Sequence, residues 1–328
     1  MSDTSLHDLD RSLLSLLQGE FPLVEEPYTA LGLRLGVGEG DIIAAIERLK
    51  AEGVVRLISP VLDSRRLGYR STLVAMGVPA DQLDTATSII SQNPGVSHGY
   101  ERDHRFNIWF TLAVPPAADM EAELEKLASP IAAEAVFDLP ALKMFKIRAY
   151  FAMKGGQPAP SPAVHDGRVP GRVELSRTDR RLINELQQDL PLISRPFAGM
   201  AARLDMNVDQ FLAGCRSLLE RGVMRRFGAA VNHRRAGFGA NAMTCWVAPR
   251  EKVAAAGQDL ASLPEVSHCY ERETNPLWQY NLFAMIHGHT AETCREIADD
   301  ASRRTGLKEW VVLFSTREFK KERIKYLV

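Results

Sequence analysis

A long internal repeat constrains the fold of this chain of 328 residues more than any other feature of its sequence. The segment GVVRLISPVLDSRRLGY, which begins at Gly53, recurs as GVMRRFGAAVNHRRAGF at Gly222, an offset of 169 residues. Further along, GVSHGYER around His98 recurs as EVSHCYER around His268 at an offset of 170, and FNIW recurs as YNLF at an offset of 174. The matches keep their order, so we expect two copies of one structural unit.

Each copy begins with a helical pattern and continues with a pattern of strands. In the first copy, apolar spacing predicts three helices, at 9–17, 28–35 and 40–51. The β-branched segment VVRLISPVLD and the residues that follow it predict a short hairpin, which would complete a winged helix-turn-helix. The rest of the copy reads βαββαβ, the ferredoxin-like topology, with strands at 71–78, 96–102, 106–114 and 142–153 and helices at 81–92 and 118–127.

The predicted fold class is therefore α+β, with two tandem copies of a winged helix-turn-helix followed by a ferredoxin-like domain. A proline-rich segment without apolar periodicity separates the copies and indicates a semi-extended linker. The expected boundaries are 1–70 and 71–154 for the two domains of the first copy, 155–172 for the linker, and 173–239 and 240–328 for the second copy. Fused copies commonly pair, so we expect the halves to pair with each other; whether the chain also forms a homodimer stays open.

Charge and cysteine usage narrow the classes of function. Lys plus Arg is 40 and Asp plus Glu is 41, so the net charge of −1 gives no overall field for nucleic acid or an anionic membrane. The N-terminus lacks a signal-peptide pattern, and no apolar run reaches the ~18 residues of a membrane span, so we expect a cytoplasmic protein. The cysteines lack the spacing of a zinc or redox motif, which predicts reduced packing residues: Cys215, Cys245, Cys269 and Cys294.

The motif Ser-His-x-Tyr-Glu-Arg, present in both copies, is the most informative candidate site. Side chains alternate along a strand, so His98, Tyr100 and Arg102 should share one face, with Ser97 and Glu101 on the other. The second copy repeats this arrangement from residue 267 to residue 272. One face then offers a titratable imidazole, a phenol and a fixed cation, although a half-exposed surface stripe would produce the same pattern.

Basic residues cluster at two further places in each copy. A corner follows the predicted wing, where paired arginines suit carboxylate binding although a solvated turn is the alternative: Arg65 and Arg66 in the first copy, and His233, Arg234 and Arg235 in the second. The last strand region carries Lys143, Lys146 and Arg148 in the first copy, and Arg317, Lys320 and Lys321 in the second. We expect most of the second group to be solvated, with one or two available to carboxylates.

A winged helix followed by a ferredoxin-like domain resembles the Lrp/AsnC transcriptional regulators. Such regulators place basic residues at the recognition helix, because phosphate contacts supply much of the affinity for DNA. Here the corresponding helices begin with Glu39, Asp41 and Asp209, which have the wrong sign for that contact. The same residues are also common at helix starts, where the helix dipole favours them. Either way, we expect no DNA partner.

Two degenerate Lrp-like units, each with SHxYER and an RRxG[YF] corner, are similar to the siroheme decarboxylase family over nearly the whole chain. The first half resembles the NirD-type subunit and the second the NirL-type subunit, with AhbA and AhbB as related pairs. The resemblance implies a carbon–carbon lyase that removes the carboxyl groups of two siroheme acetates, at ring carbons 12 and 18. The product would be 12,18-didecarboxysiroheme, an intermediate of d1-type haem or haem biosynthesis, and no cofactor beyond the iron-containing substrate is implied.

The resemblance also implies roles for the repeated residues. His98 and His268 would donate a proton or orient the reacting acetates, with Tyr100 and Tyr270 as hydrogen-bond partners; a competing role for either histidine is an axial contact to the substrate iron. The substrate carboxylates would bind to Arg65, Arg66, Arg102, Arg234, Arg235, Arg272, His233, Lys146 and Lys320. The alternatives are a tetrapyrrole-responsive regulator without catalysis and, more weakly, an amino-acid sensor.

Overall fold

The computed structural model describes residues 8–147, 171–231 and 240–326. Most of the predicted linker lies outside the described residues, as do Arg148 and the second basic corner with His233, Arg234 and Arg235.

The two halves have the same order of elements. The first half contains α1 (Asp8–Gly19), α2 (Pro27–Leu35), α3 (Glu39–Ala51), β1 (Val55–Leu62), β2 (Arg70–Gly77), α4 (Leu83–Gln92), β3 (Val96–Arg102), β4 (Ile108–Val114), α5 (Met120–Ala128) and β5 (Ala135–Ile147). The second half contains α6 (Arg177–Leu186), α7 (Pro196–Arg203), α8 (Val208–Glu220), β6 (Met224–Val231), β7 (Ala240–Trp246), α9 (Arg250–Ser262), β8 (Val266–Arg272), β9 (Leu282–Gly288), α10 (Ala291–Thr305) and β10 (Trp310–Lys321). The predicted α+β class, with two helical units and two βαββαβ units, is confirmed.

Local sequence signals explain where the helices of the first domains begin. Proline occupies the first position of both α2 and α7, where its missing N–H costs nothing. At the start of α3 the carboxylate of Asp41 accepts a hydrogen bond from the backbone N–H of Gly38 at 3.0 Å. This acidic residue therefore stabilises the helix N-terminus, as the helix-dipole interpretation expected.

The two helical units share one hydrophobic core. Leu13, Leu17 and Ile46 of the first half belong to the same buried cluster as Leu182 and Phe211 of the second. The units are further joined by β1 and β6, which pair antiparallel along their whole length.

This pairing replaces the hairpin that we predicted after the third helix. The segment VRLISPVL forms the single strand β1, whose register runs from Val55 opposite Val231 to Leu62 opposite Met224. β1 itself contains no Gly, Asn or Asp, the residues that accept the positive φ of a tight hairpin, and Gly68, which has a positive φ, lies in the turn before β2. The prediction of a hairpin within one copy is wrong, because the strand takes its partner from the other copy.

The ferredoxin-like sheets join into one closed barrel through their last strands. The first part of β5 pairs with β2, and its second part continues onto β8 of the other half. In the same way, β10 pairs first with β7 and then with β3. The eight strands follow the order β10-β3-β4-β2-β5-β8-β9-β7 around the barrel. The expectation that the halves pair with each other is confirmed.

An aromatic cluster fills one end of the barrel, where the β3–β4 and β8–β9 turns lie. Trp278, which is 2% exposed, contacts Trp109 at 5.0 Å and Tyr280 at 4.9 Å between ring centroids, and packs on Phe106 and Phe137. Trp278 belongs to the stretch in which the second copy is four residues longer. The longer β8–β9 turn of the second copy thus supplies the central ring of the aromatic cluster that fills this end of the barrel.

Two further expectations concern the cysteines and membranes. All four cysteines are buried and free, which confirms that they are packing residues. Within the described ranges, no helix combines the length and apolarity needed to cross a bilayer.

Candidate active site

A cavity of about 1080 Å³ occupies the other end of the barrel. Both copies of the SHxYER motif line it, because β3 and β8 begin at this end. Further walls come from β1, from the second part of β5, and from residues 321–326 at and after the end of β10, and residues of β2, β4, β6, β7 and β9 add to the lining. Small-molecule pockets span about 300–1,000 Å³, so this one suits a large ligand.

A β-bulge at the start of β3 and of β8 places serine and histidine on the same side of the strand. The register between β3 and β4 shifts between Val96 and His98, and the register between β8 and β9 shifts in the same way. A bulge adds one residue and interrupts the alternation of side chains. Ser97 and Ser267 therefore line the cavity beside the histidines, and the expectation that Ser97 faces away is wrong.

The serines hold the histidine rings through Nδ1. Ser97 Oγ lies 2.9 Å from Nδ1 of His98, and Ser267 Oγ lies 2.8 Å from Nδ1 of His268. The two motifs thus present their imidazoles to one continuous cavity in the same manner.

The imidazole of His98 is exposed to the cavity but lies among the strands of the molecule, and its pKa lies below the ordinary value. Its surroundings inside the molecule lower the pKa from 6.5 to about 4, chiefly by burial, and the positive charges of Lys321 and Arg56 act in the same direction against Glu318. Among protein groups alone, His98 is therefore neutral near pH 7. A carboxylate-rich ligand would raise the pKa, since nearby negative charge favours the imidazolium.

Arg102 and Arg272 occupy matching positions deep in the cavity. Nη1 of Arg102 donates to the carbonyl oxygen of Leu313 at 2.8 Å, and Nη1 of Arg272 donates to that of Leu139 at 2.8 Å. Each arginine is therefore held by a backbone carbonyl of the other half.

Both guanidinium groups remain charged, and no described acidic side chain neutralises them. Burial lowers the pKa of each to about 10, which is still well above neutral pH. Nε of Arg102 and Nε of Arg272 are buried without a hydrogen-bond partner, and in the described part of the chain neither side chain forms an ion pair. Because a buried charge is costly unless it is paired, these two groups define a site for anions.

The tyrosines of the motif lie under these arginines. The guanidinium carbon of Arg102 lies 5.4 Å from the ring centroid of Tyr100, and that of Arg272 lies 4.9 Å from the ring centroid of Tyr270. Burial raises the pKa of Tyr270, whereas the cations Arg272, Arg225 and Arg65 oppose that shift. Tyr270 is therefore a neutral phenol in a strongly positive environment.

The cavity wall as a whole carries an excess of positive charge. Glu322 is the acidic member of the described lining, which includes nine basic side chains: Arg56, Arg65, Arg102, Lys143, Arg225, Arg272, Lys321, Arg323 and Lys325. Apolar surface comes from Trp109, Phe283 and Met243. The combination suits a ligand with a flat apolar body and several carboxylates.

The two arginines of the basic corner in the first copy, Arg65 and Arg66, lie in different surroundings. The carboxylate of Asp63 accepts backbone hydrogen bonds from Arg65 and Arg66 and also binds the guanidinium of Arg225 at 2.8 Å. Arg65 lines the cavity, as predicted. Arg66 instead lies against Gly222, outside the lining, so the structure does not place it with the other predicted carboxylate-binding residues.

The predicted lysines of the last strands bind helix ends. Nζ of Lys146 donates to the carbonyl oxygen of Leu263 at 2.6 Å, just after α9. Nζ of Lys320 donates to the carbonyl oxygens of Ser91 and Asn93 at 2.6 and 2.8 Å, at the end of α4. The structure does not bring either lysine to the cavity; a cation at a helix C-terminus satisfies orphan carbonyls and the dipole. Their binding of substrate carboxylates stays a prediction without support from these contacts.

Several lining residues were missed from the sequence. Arg56 and Arg225 stand at matching positions of the repeat, GVVR and GVMR, and that identity was the available signal. His287 also lines the cavity, but the matching position of the first copy is Ala113, so the repeat gave no signal for it.

Metal ligation by the protein itself finds no support in the geometry. Among residues 8–147, 171–231 and 240–326, no group of three or more His, Cys, Asp or Glu side chains is arranged to hold a metal ion.

Comparison with known protein families covers both domains of both halves. A family model described as the siroheme decarboxylase NirDL-like HTH domain matches residues 10–56 and 179–225. A model of the AsnC-like ligand binding domain matches residues 66–146 and 235–320.

Similar proteins align along nearly the full chain. A siroheme decarboxylase of Hydrogenobacter thermophilus is 40% identical over 315 residues, which cover 96% of this chain and 93% of that one. The siroheme decarboxylase NirDL subunit of Paracoccus denitrificans is 34% identical, with 96% of each chain covered.

Solved structures agree with these matches. The crystal structure of the siroheme decarboxylase NirDL aligns with a TM-score of 0.75 and 36% identity, over 98% of this chain and 95% of that one. A NirDL crystal structure in complex with an iron-uroporphyrin III analogue aligns equally well. With its duplicated domains and a shared cavity lined by both SHxYER motifs, this chain belongs to the siroheme decarboxylase family, as a fusion of the NirDL type.

Proposed function

We propose that this protein removes the carboxyl groups of two acetate side chains of siroheme, at ring carbons 12 and 18, to give 12,18-didecarboxysiroheme. The reaction is non-oxidative, the activity is that of a carbon–carbon lyase, and no cofactor is required beyond the iron-containing substrate. The observation that carries the proposal is the pair of buried guanidinium groups of Arg102 and Arg272, which have no carboxylate partner among the described residues.

Carboxylate binding follows from this excess of positive charge. Siroheme is a flat macrocycle fringed with carboxylates, and arginine binds a carboxylate through two parallel hydrogen bonds. Pairing Arg102 and Arg272 with substrate carboxylates offsets the cost of burying both charges. Trp109 and Phe283 provide apolar surface for the faces of the ring.

The chemical step needs one proton for each carboxylate lost. When the bond between the methylene carbon and the carboxylate breaks, carbon dioxide leaves and the electron pair enters the conjugated macrocycle. A proton added at the methylene carbon then forms a methyl group. His98 and His268 deliver or orient that proton, and Tyr100 and Tyr270 donate hydrogen bonds to the reacting groups.

The low pKa of His98 fits this role once substrate carboxylates are near. Protein groups alone hold the pKa at about 4. Negative charge on the ligand raises the pKa toward neutrality, where an imidazolium is an efficient acid. A competing role, ligation of the substrate iron by either imidazole, would shift the visible spectrum of bound siroheme when that histidine is replaced.

The direct test is anaerobic incubation of the purified protein with siroheme, followed by mass spectrometry of the tetrapyrrole. We expect the loss of one and then two molecules of carbon dioxide. Siroheme that stays bound but unchanged would contradict the proposal and favour a tetrapyrrole sensor. Salt-dependent DNA binding that responds to siroheme would favour a regulator.

A further inference from the structure

The second half contains a chain of three polar side chains beside its catalytic strand. Ser267 Oγ lies 2.8 Å from Nδ1 of His268 and 2.7 Å from Nε2 of His287. Ser267 is 1% exposed, and all three residues line the cavity. The hydroxyl of Ser267 thus bridges two imidazole rings.

The first half has the same serine and histidine but a different third residue. Ser97 Oγ contacts Nδ1 of His98 at 2.9 Å. His287 stands two residues after Met285, the partner of His268 across the strands; two residues after Thr111, the partner of His98, stands Ala113. At this position the second half therefore has an imidazole where the first half has a methyl group.

A hydroxyl group that bridges two imidazole rings links the position of the N–H hydrogen on one ring to its position on the other. The hydroxyl of Ser267 carries one hydrogen, so if it donates to one ring it must accept from the other. The carbonyl oxygen of Met285, at 3.5 Å, is a much more distant acceptor for that hydrogen than either ring nitrogen. Burial and the charge of Lys321 lower the pKa of His287 to about 4, so near neutral pH this ring is neutral, with one donor and one acceptor nitrogen. The tautomer of His268 then depends on that of His287, whereas Ser97 has no imidazole at the matching position.

We propose that His287 is a positioning residue that acts through Ser267 to hold the ring of His268 in one orientation and one tautomer. The inference rests on the proposed decarboxylation for its catalytic consequence. The reaction at His268 depends on this contact, and the reaction at His98 does not. The two carbon dioxide losses therefore respond differently to replacement of His287.

The catalytic test measures both losses separately in anaerobic single-turnover experiments. We expect His287→Ala to slow one loss by about tenfold, equivalent to ~1.4 kcal/mol of barrier, with unchanged siroheme affinity and a monodecarboxylated intermediate that accumulates. His287→Gln, whose amide can reach Ser267, should restore most of the rate. Equal slowing of both losses, or a loss of affinity that accounts for the whole effect, would overturn the proposal.

A double-mutant cycle tests whether His287 acts through His268. In a His268→Ala background, His287→Ala should have no further effect on that loss, whereas in a His98→Ala background its effect should persist. Additive effects in the His268→Ala background would show that His287 acts independently. Melting temperatures of all variants identify any loss of fold, and His287→Gln provides the comparison if His287→Ala is unstable.

A spectroscopic test is independent of activity and so separates this inference from the proposed function. In protein labelled with 15N-histidine, His287→Ala should change the ring nitrogen shifts of His268 and leave those of His98 unchanged. Ser267→Ala should do the same to His268, and Ser97→Ala should affect His98 instead. Unchanged His268 shifts in His287→Ala would overturn the inference even if siroheme is decarboxylated; changed shifts would support it even if siroheme is not.

Discussion

The two halves of the cavity differ in the groups behind the histidines and agree in the groups that bind anions. Arg102 and Arg272 each stack on a tyrosine and donate to a carbonyl of the opposite half. Behind His268, by contrast, Ser267 reaches a second imidazole that the first half lacks. The comparison teaches that the duplicated fold kept a symmetric pair of arginine–tyrosine contacts while the groups behind the two histidines diverged.

Replacing each histidine tests whether the halves serve different acetates. We expect His98→Ala and His268→Ala each to slow one carbon dioxide loss by about 10²–10⁴-fold, the usual contribution of a general acid. Each variant should accumulate a monodecarboxylated siroheme, and NMR of the isolated products should show that the remaining acetate differs. His104→Ala, a ring outside the cavity lining, is the control and should retain both losses. The same remaining acetate in both variants would contradict a division of labour.

Replacing Trp278 tests whether the aromatic cluster, to which the longer β8–β9 turn of the second half contributes, stabilises its end of the barrel. Because its ring is buried in an aromatic cluster, we expect Trp278→Ala to lower the free energy of unfolding by about 3–5 kcal/mol. Urea denaturation measures the change. The neighbouring side chain of Leu277 is 47% exposed, so Leu277→Ala should stay within about 0.5 kcal/mol of the parent protein. A small effect of Trp278→Ala would show that the aromatic cluster does not stabilise the barrel.

Replacing Arg102 and Arg272 one at a time tests whether the two arginines contribute equally to siroheme affinity. Arg102→Met and Arg272→Met should each weaken siroheme affinity by about 30-fold or more, or ~2 kcal/mol, since each removes one partner of a buried charge pair. Titration followed by absorbance measures the change. Lys146→Met, outside the cavity, should lower the melting temperature without changing affinity. Strongly unequal effects of the two arginine variants would break the symmetry that the contacts indicate.

The smallest effect concerns the pH dependence of stability. The pKa of His98 is lowered to about 4 in the folded protein, and an unfolded histidine titrates near ~6.5. Between these values the unfolded chain binds more protons, so the melting temperature of the ligand-free protein should fall as the pH decreases through this window. His98→Gln should flatten that dependence, and His287→Gln should do so as well, because the pKa of His287 is also lowered to about 4. An identical slope in His98→Gln would contradict the direction given for His98.

Sequence patterns predicted the elements well, because helix periodicity, prolines at helix starts and strand alternation are local signals. The same patterns did not predict that β1 pairs with β6 or that β5 and β10 close a barrel. A strand's sequence specifies that it needs a hydrogen-bonding partner, and two copies of one unit offer equivalent partners within and between halves.

The site was predicted unevenly for a similar reason. His98, Tyr100 and Arg102 were found from the repeated motif, and the structure brings them together with their counterparts in one cavity. Lys146 and Lys320 were grouped with the site because their charge is visible in the sequence, whereas the structure places them at helix ends of the opposite half. The roles of the residues that do meet stay predictions.

The shared last strands have a consequence for each half on its own. Within the first half, β3 borders the sheet, and its outer side is covered by β10 of the second half; β8 is covered by β5 in the same way. Separated from its partner, each half would expose the strand that carries its SHxYER motif as an unpaired edge. Open edges recruit other strands and promote aggregation. The strand that carries the SHxYER motif and lines the cavity, β3 or β8, is thus also the strand through which an isolated half would aggregate.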